Sequence, residues 1–352
     1  MIMPALKNIS CVGAFANKGI AFLILLTTTF LAQAEDNSGA GWDTVTITWD
    51  NDLFTYSNTD RHYTNGIHAR LESKPFTVFD ESSILGLFVP ILDALPISSR
   101  KFQQRTVAYS VGQKMFTPDD ITLASPRSDD MPYAGLLYAS ADFSASAPSH
   151  ADLFRLTIGL VGPGSLAKQT QKAAHKLVGA DDPEGWSHQL GNEIVFSALY
   201  ERRHLLASGK LGKHASFDLV GIGRGEIGTL NTGAEAGLAI VFSETGMNGH
   251  RKLQPDIAGN GYLSRSDLKQ GWFGYLGTTG RVTLRNVFLD GNTYRDSPSV
   301  DKKPTNGSVF LGFGFAAANW IVSAGWSLES KRFDTQEKGI RYGSLTLTYR
   351  YE

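Results

Sequence analysis

The chain has almost no cysteine, with Cys11 the single one among 352 residues. Two lysines, an apolar run over 19–31 and the sequence Ala-Gln-Ala at 32–34 follow one another in the order of a secretory signal. We expect cleavage after this segment, so that 1–34 is a signal peptide and the mature chain 35–352 contains no cysteine. This excludes a disulfide scaffold, a cysteine-ligated zinc site and a thiol nucleophile in the exported protein.

A second long apolar run and an excess of one charge are also lacking. No later stretch reaches the roughly 18 apolar residues of a membrane-spanning helix, which excludes a helical membrane protein. Charged residues make up 19% of the chain, and 33 basic side chains nearly balance 34 acidic ones. A basic surface for nucleic acid is therefore not expected.

Alternation of apolar and polar residues is what the chain has in abundance. Val45, Ile47 and Trp49 alternate with threonines, as a strand of period two requires. Including this strand, the pattern predicts twelve strands, the others lying near 62–73, 103–115, 133–145, 151–162, 187–203, 210–224, 232–244, 272–288, 307–316, 318–331 and 340–352. Many approach the roughly nine to eleven residues that cross a bilayer when tilted. The sequence thus predicts an all-β protein, a twelve-stranded antiparallel transmembrane barrel over 35–352. A soluble β-sandwich has the same period, and the apolar segment 84–92 fits no strand.

One segment follows a helical pattern instead. Residues 165–178 begin with Ser165 as a predicted N-cap, contain good helix formers and end before Gly179. Gln171 and His175 are four residues apart and therefore share a face of this helix. If the chain is threaded from a periplasmic N-terminus, the helix lies at the outer rim of the barrel.

Two other patterns point to different functions. The literal G-x-G-x-x-G over 223–228 is followed by no helix and is interpreted as strand and turn. His214 and Ser216 would share a strand face and could serve a barrel phospholipase. A porin-like or purely structural barrel is the further alternative, and it would not need Gln171 and His175 on a helix.

A polar group lies where the first two strands meet. A hairpin would bring Asn51 and Asp52 close to Tyr63 and Thr64, which together offer carboxylate, amide and hydroxyl oxygens for a hard cation such as Ca²⁺. The same residue types also form turns at hairpin tips. Spacing alone leaves both interpretations open.

Motifs spread over nearly the whole mature chain resemble, in their order, the LpxR-type lipid A 3′-O-deacylases of the Gram-negative outer membrane. The motifs are Asn51-Asp52-x-Phe54, Asp60-Arg-His-Tyr-Thr-Asn-Gly66, Met115-Phe-Thr-Pro118, Pro132-Tyr-Ala-Gly135, Gly159-Leu-Val-Gly-Pro163, Gln171-x-x-x-His175, Gly185-Trp186, Gln189-Leu-x-Asn-Glu193, Phe288-Leu-Asp-Gly-Asn-Thr-Tyr294 and Asp301-Lys-Lys-Pro304.

This resemblance implies a twelve-stranded barrel that hydrolyses an ester of lipid A in a Ca²⁺-dependent reaction at its outer-leaflet end. His175 would take a proton from water, since an imidazole with a pKa of about 6.5 is largely neutral at pH 7. Gln171 would orient the water or the ring. A lysine of some family members has no counterpart in 119–123. By the same resemblance the catalytic residues are His175, Gln171, Asn51 and Thr64, and the Ca²⁺ ligands are Asp52, Asn51, Thr64 and, matched less closely, Asp181.

The implied partners are lipid A or lipopolysaccharide as substrate and the surrounding outer-membrane lipids. No nucleic acid is expected, and the barrel is expected to be a monomer. The resemblance and the signal peptide together predict export to the outer membrane of a Gram-negative cell.

Overall fold

The structure is a computed structural model that describes residues 41–55, 62–79, 88–244, 253–255, 262–264 and 270–351. The predicted signal peptide, 1–34, lies outside the described residues. Among the described helices, none is both long and apolar enough to span a membrane.

Twelve antiparallel strands close into a barrel, which confirms the predicted fold class. The barrel closes where the first strand pairs with the last, so that Thr48 lies opposite Thr346 and their hydroxyls are 3.1 Å apart. A separate two-stranded hairpin, β9–β10, interrupts the barrel order. In chain order the elements are β1 Trp42–Asn51, β2 His62–Ser73, α1 Val89–Asp93, β3 Gln104–Thr117, β4 Ala134–Ser146, β5 His150–Val161, α2 Ala167–Val178, β6 Glu193–Leu211, β7 Ala215–Gly228, β8 Asn231–Ser243, β9 Leu253–Pro255, β10 Tyr262–Ser264, β11 Gly271–Asn286, α3 Val287–Asp290, β12 Thr305–Ala317, β13 Trp320–Glu329 and β14 Arg341–Arg350.

The two faces of the barrel wall are told apart by burial. On β5 and β6, Ile158 and Phe196 are paired and are 59% and 55% exposed. On β4 and β5, Asp142 and Arg155 are paired on the opposite face and are buried. Exposed apolar side chains therefore form the outer wall, and buried charged side chains line the lumen, as in a barrel that sits in lipid.

The lumen is filled with ion pairs at several levels. Asp142 accepts hydrogen bonds from Arg155 at 2.7 Å and from Arg70 at 2.5 Å. Farther round the barrel, Glu235 accepts from both Arg224 and Arg281 at 2.8 Å. Because each carboxylate meets two guanidinium groups, these buried charges compensate one another.

Aromatic rings fill the lumen elsewhere by lying over glycines. A Cβ on Gly314 would come within 2.2 Å of the Phe273 ring, and one on Gly277 within 2.2 Å of the Phe310 ring. The end of the barrel where β1 begins and β14 ends is here called the termini end. At this end, Leu253 of β9 is buried among these rings. The glycine content thus makes room for a packed interior.

We expect the purified barrel to give no stable single-channel conductance in a planar bilayer, because buried ion pairs and rings occupy the lumen. An open porin measured in the same bilayer is the control. Stepwise currents of porin size would show that the lumen opens in the bilayer and would revive the porin-like alternative.

Some sequence-based boundaries need correction. The strand predicted at 187–203 is β6, which begins at Glu193, because residues 185–188 form a 3₁₀ turn. The region 223–228 is strand followed by a tight turn into β8, as predicted. His214 lies in a turn, while Ser216 lies in β7, where its Oγ is 3.3 Å from Ser243 Oγ. The two residues therefore do not share a strand face as predicted, and both lie at the termini end.

Candidate functional site on the outer wall

The helix α2 runs from Ala167 to Val178, two residues shorter at its start than predicted. Ser165 is not its N-cap: it ends a 3₁₀ turn and donates its hydroxyl to the Gly162 carbonyl at 2.6 Å. The helix ends as predicted at Gly179, which adopts a left-handed conformation with φ of 72°. The amide of this glycine donates to the His175 carbonyl at 2.8 Å, which closes the last turn.

Contacts with β3 and β4 place α2 against the outer wall. Gln113, on the same face of β3 as the exposed Val111, donates to the Ser165 carbonyl at 2.6 Å. A Cβ on Gly135 of β4 would lie 2.1 Å from Ser165 Oγ and 2.3 Å from Ala167 Cβ. Only glycine permits this approach, which explains the glycine of the Pro-Tyr-Ala-Gly motif. The helix therefore lies outside the barrel, at the end opposite the termini.

One stripe of α2 is buried against the wall. It consists of Ala167, Gln171 and His175, each four residues from the next, whereas the lysines 168 and 176 are exposed. The predicted common face of Gln171 and His175 is thus confirmed, and it is the face that meets the barrel.

Hydrogen bonds fix the orientation of both polar side chains. His175 Nδ1 lies 2.5 Å from the main-chain oxygen of Asp181. A carbonyl oxygen only accepts, so Nδ1 carries the hydrogen and, in the neutral ring, Nε2 is the nitrogen with a lone pair. Trp186 donates its indole N–H to Gln171 Oε1 at 2.7 Å. Since the indole is only a donor, the Gln171 amide must present its oxygen to Trp186.

Trp186 belongs to the Gly-Trp motif, and the sequence alone assigns it no role. Its side chain is 1% exposed, and its ring centroid lies 4.9 Å from that of Tyr133. A Cβ on Gly185 would come within 2.5 Å of the Tyr133 ring. The close packing of Gly185 on Tyr133 therefore fixes the position of Trp186, which in turn orients the Gln171 amide.

A second group of polar candidate residues lies at the same end of the barrel as α2, where β1 ends and β2 begins. Asn51 ends β1 opposite Asn65 of β2, and Asp52 starts a 3₁₀ turn. Thr64 sits at a shift in the pairing of β2 with β3, and its hydroxyl lies 2.7 Å from that of Thr117. Asn51, Asp52 and Thr64 are all buried. Thr117 is a neighbour that the sequence did not assign.

Tyr63, next to Thr64, points into the lumen and anchors this turn of the backbone. Its hydroxyl donates to Asp50 Oδ2 at 2.6 Å and accepts from Lys114 Nζ at 2.9 Å. Lys114 is 1% exposed, so it faces the interior and does not replace the lysine that is absent from 119–123. The network instead holds the strand end that carries Thr64.

The β3 strand links the two groups. Thr117 contacts Thr64, and Met115, two residues earlier on the same face, packs in one cluster with Ala167 and Trp186. The outer wall therefore carries both groups at the same end. Asp181 contacts His175 through its main-chain oxygen, and the residue is exposed. Its place among metal ligands stays a prediction.

Hydrogen bonds between two loops hold the segment that carries α2. Asn292 accepts from the Gly191 amide and donates to the Gly191 carbonyl, both at 2.9 Å, and donates to Glu193 Oε2 at 3.0 Å. Thr293 adds a main-chain bond to the same carboxylate at 2.8 Å. We call these residues the loop clasp, and they account for Asn292 and Thr293 of one motif and for Glu193 of the other.

Replacing Asn292 with alanine is expected to loosen α2 without unfolding the barrel. The substitution removes three bonds and leaves buried partners, a cost of about 1–3 kcal/mol. Trypsin should then cut the lysines of α2 roughly 5- to 150-fold faster, with heat-modifiable migration unchanged. Gln169→Ala, on the exposed side of α2, is the control. Equal cleavage of both variants would contradict the clasp.

The donor atoms suit an oxygen-binding cation. The described residues contain no group of three or more His, Cys, Asp or Glu side chains placed to hold a metal. The second polar group offers one carboxylate, Asp52, with the Asn51 amide and the Thr64 hydroxyl. All are oxygen ligands of the kind Ca²⁺ accepts, and none is a soft ligand.

The outer wall of exposed apolar side chains and the filled lumen define an outer-membrane type of β-barrel, and this barrel carries a polar candidate site on its outer wall. The profile of the family described as outer membrane protein LpxR matches residues 20–351. The chain belongs to this family.

Of two solved structures similar to this chain, the first supports the fold. LpxR from Salmonella typhimurium is similar with a TM-score of 0.68 and 14% identity, covering 88% of this chain and 100% of that one. The β domain of the Bordetella autotransporter BrkA has a TM-score of 0.43 and 10% identity, covering 89% and 99%. A search of curated proteins finds no significant match.

Proposed function

We propose that the protein removes a 3′-linked acyl chain from lipid A by Ca²⁺-dependent ester hydrolysis. The observation that carries the proposal is the buried His175–Gln171 face of α2, pressed against the outer wall. Membership of the LpxR family and the resemblance of the site motifs supply the substrate class. A site on the outer wall also suits a substrate whose acyl chains remain in the bilayer.

His175 is the proposed general base. With Nδ1 donating to the Asp181 carbonyl, Nε2 can accept a proton from water as the water oxygen attacks the acyl carbonyl carbon. The ester C–O bond then breaks, and the imidazolium returns the proton to the departing sugar oxygen. The products are a fatty acid and a free 3′-hydroxyl, so atoms and charges balance without a serine nucleophile.

Gln171, Asn51 and Thr64 are proposed to position the reactants. Trp186 donates to the oxygen of the Gln171 amide, so the amide nitrogen is the donor that Gln171 would offer to water or substrate. Asn51 and Thr64 supply an amide and a hydroxyl that can donate to the acyl oxygen as it gains charge.

Asp52 is proposed as the main ligand of Ca²⁺, with Asn51, Thr64 and Asp181, whose motif match is the weaker one, completing the set. When bound there, the cation would supply Lewis-acid stabilisation of the developing oxyanion. The buried Asp52 carboxylate is also a charge that a cation would compensate.

Mass spectrometry of lipid A tests the activity directly. Lipid A from Gram-negative cells that express the protein should lose the mass of its 3′-linked acyl group, while cells that express His175→Asn should keep it. An unchanged spectrum with the parent protein folded in the outer membrane would refute the deacylase. Loss of glycerophospholipid acyl chains instead, abolished by Ser216→Ala, would favour a phospholipase.

A further inference from the structure

Residues 88–92, the described part of the apolar segment that fits no strand, belong to a structure outside the barrel. Its described part, residues 74–79 and 88–103, we call the collar. It connects β2 to β3 at the termini end. Residues 84–87 lie outside the described residues, whereas Val89–Asp93 form the short helix α1.

The collar packs on the outer wall and not in the lumen. Phe143 and Phe154 adjoin the inward-facing pair Asp142 and Arg155, so they point outward. Yet Phe143 is 0% and Phe154 7% exposed, because collar side chains cover them. The covering residues are Phe79, Leu92, Ile97 and Phe102.

An arginine of β3 fastens the collar to the wall. Arg105 exchanges two main-chain hydrogen bonds with Phe76, at 2.8 and 2.9 Å. Its guanidinium donates to the main-chain oxygens of Thr77 and Ser99 and lies 5.5 Å from the centre of the Phe79 ring. The collar is therefore a built part of the barrel exterior.

Contacts with the wall also give the depth of each collar residue. Phe88, just before α1, lies 5.3 Å from the Phe143 ring, whereas Phe102 lies 4.9 Å from His150, the first residue of β5. Phe154, which pairs with Phe143, is four residues along β5 from His150, or about 13 Å at the rise of a strand. Hence α1 lies deeper along the wall, and the end of the collar lies at the edge of the barrel.

The exposed side chains of the collar differ in character along the depth of the wall. The deeper part exposes the apolar Ile91, at 47%, and Val78, also in the collar, is 67% exposed. The edge exposes Arg100 and Lys101, just before Phe102. The one acidic residue among the described collar positions is Asp93, the exposed last residue of α1.

Two histidines and an arginine of the barrel wall also lie at the edge. His150 and His204 are paired on β5 and β6, with ring centroids 6.3 Å apart. The charges that bear on His150 include those of Lys101 and Arg202. The nearby acid, Asp152, accepts from Arg202 at 2.7 Å, so its charge is already matched.

We propose that the collar binds anionic glycerophospholipids of the leaflet at the termini end. The outer wall above it is exposed and apolar, as at Ile158 and Phe196, so the collar continues a lipid-facing surface and takes the place of lipid over Phe143. Ile91 lies among acyl chains, and Arg100 and Lys101 meet headgroup phosphates, the arrangement of an interfacial amphipathic element.

Native mass spectrometry of the folded protein, transferred from detergent after incubation with phosphatidylglycerol or phosphatidylcholine, tests the headgroup site. The parent should retain phosphatidylglycerol in preference. Arg100→Gln with Lys101→Gln should lower its retention roughly tenfold, since each basic residue near an anionic surface contributes a several-fold gain. Lys331→Gln with Lys338→Gln, which removes the same charge at the opposite end, should have no effect. Equal retention of both lipids by the parent, or undiminished retention by the Arg100 and Lys101 variant, would overturn the proposal.

A second measurement tests the depth of α1 and does not depend on the headgroup. Ile91→Cys, the single cysteine of the mature chain expected after signal cleavage, should, when it carries an environment-sensitive fluorophore, be quenched by lipids with a nitroxide on the acyl chain and protected from aqueous iodide. The Ile91 side chain is exposed, and heat-modifiable migration checks the fold. Quenching by iodide with no effect of the lipid nitroxide would place Ile91 in water and refute the proposal.

Discussion

Replacing His175 with asparagine is expected to lower the rate of lipid A deacylation by roughly two to four decades, the usual effect of removing a general base. Asparagine can still donate from its side-chain amide to the Asp181 carbonyl, so the end of α2 should keep its structure. It has no group that takes a proton from water. The measurement is release of fatty acid from purified lipid A in mixed micelles.

The pH profile separates a base from a merely structural residue. In the parent, turnover should fall as the pH drops through the histidine pKa, because the imidazolium has no lone pair. The residual activity of His175→Asn should not show this fall. His188→Asn, at an exposed histidine in the neighbouring 3₁₀ turn, should match the parent. If His175→Asn retains near-parental turnover while Ser216→Ala is inactive, water attack must give way to a serine esterase.

Replacing Asp52 with alanine is expected to abolish measurable deacylation, and excess chelator should do the same to the parent. Loss of an electrostatic stabiliser of the oxyanion alone costs roughly 10²–10³ in turnover, and loss of the cation also leaves its other ligands unorganised. Added Ca²⁺ should restore the chelated parent and leave Asp52→Ala inactive.

Calcium binding can be measured without activity. A ligand that binds only the folded state raises the unfolding temperature, so Ca²⁺ should stabilise the parent and not Asp52→Ala. Asp129→Asn is the matched control, since Asp129 lies in a loop at the same end and is half exposed beside Arg127. Full activity of the parent in excess chelator would contradict a metal-dependent reaction.

The strand count could be predicted from sequence because alternation is a local property of each strand. The shared face of Gln171 and His175 followed in the same way from helical spacing. The start of α2 could not be predicted, because Ser165 is held by the close approach of Gly135, a residue thirty positions earlier on another strand. Likewise the turn that delays β6 to Glu193 depends on Trp186 reaching Tyr133 and Gln171.

The side of the barrel wall on which a segment lies was harder to predict from sequence. The same apolar residues at 88–92 could plug a lumen or cover an outer wall, and only the strand register decides between them. The loop clasp is equally non-local, since Asn292 and Gly191 are 101 residues apart. His214 and Ser216 show the converse error. Their spacing suits a common strand face, but His214 lies in a turn and Ser216 lies in a strand.

The position of α2 outside the barrel determines how the proposed reaction should be quantified. A substrate that reaches His175 by lateral diffusion meets the enzyme in two dimensions, and its effective concentration is a mole fraction within the leaflet. Diluting mixed micelles with buffer should then leave the initial rate nearly unchanged, whereas diluting the substrate with inert detergent should lower it. Surface dilution, and not bulk molarity, is the variable against which saturation of this site should be plotted.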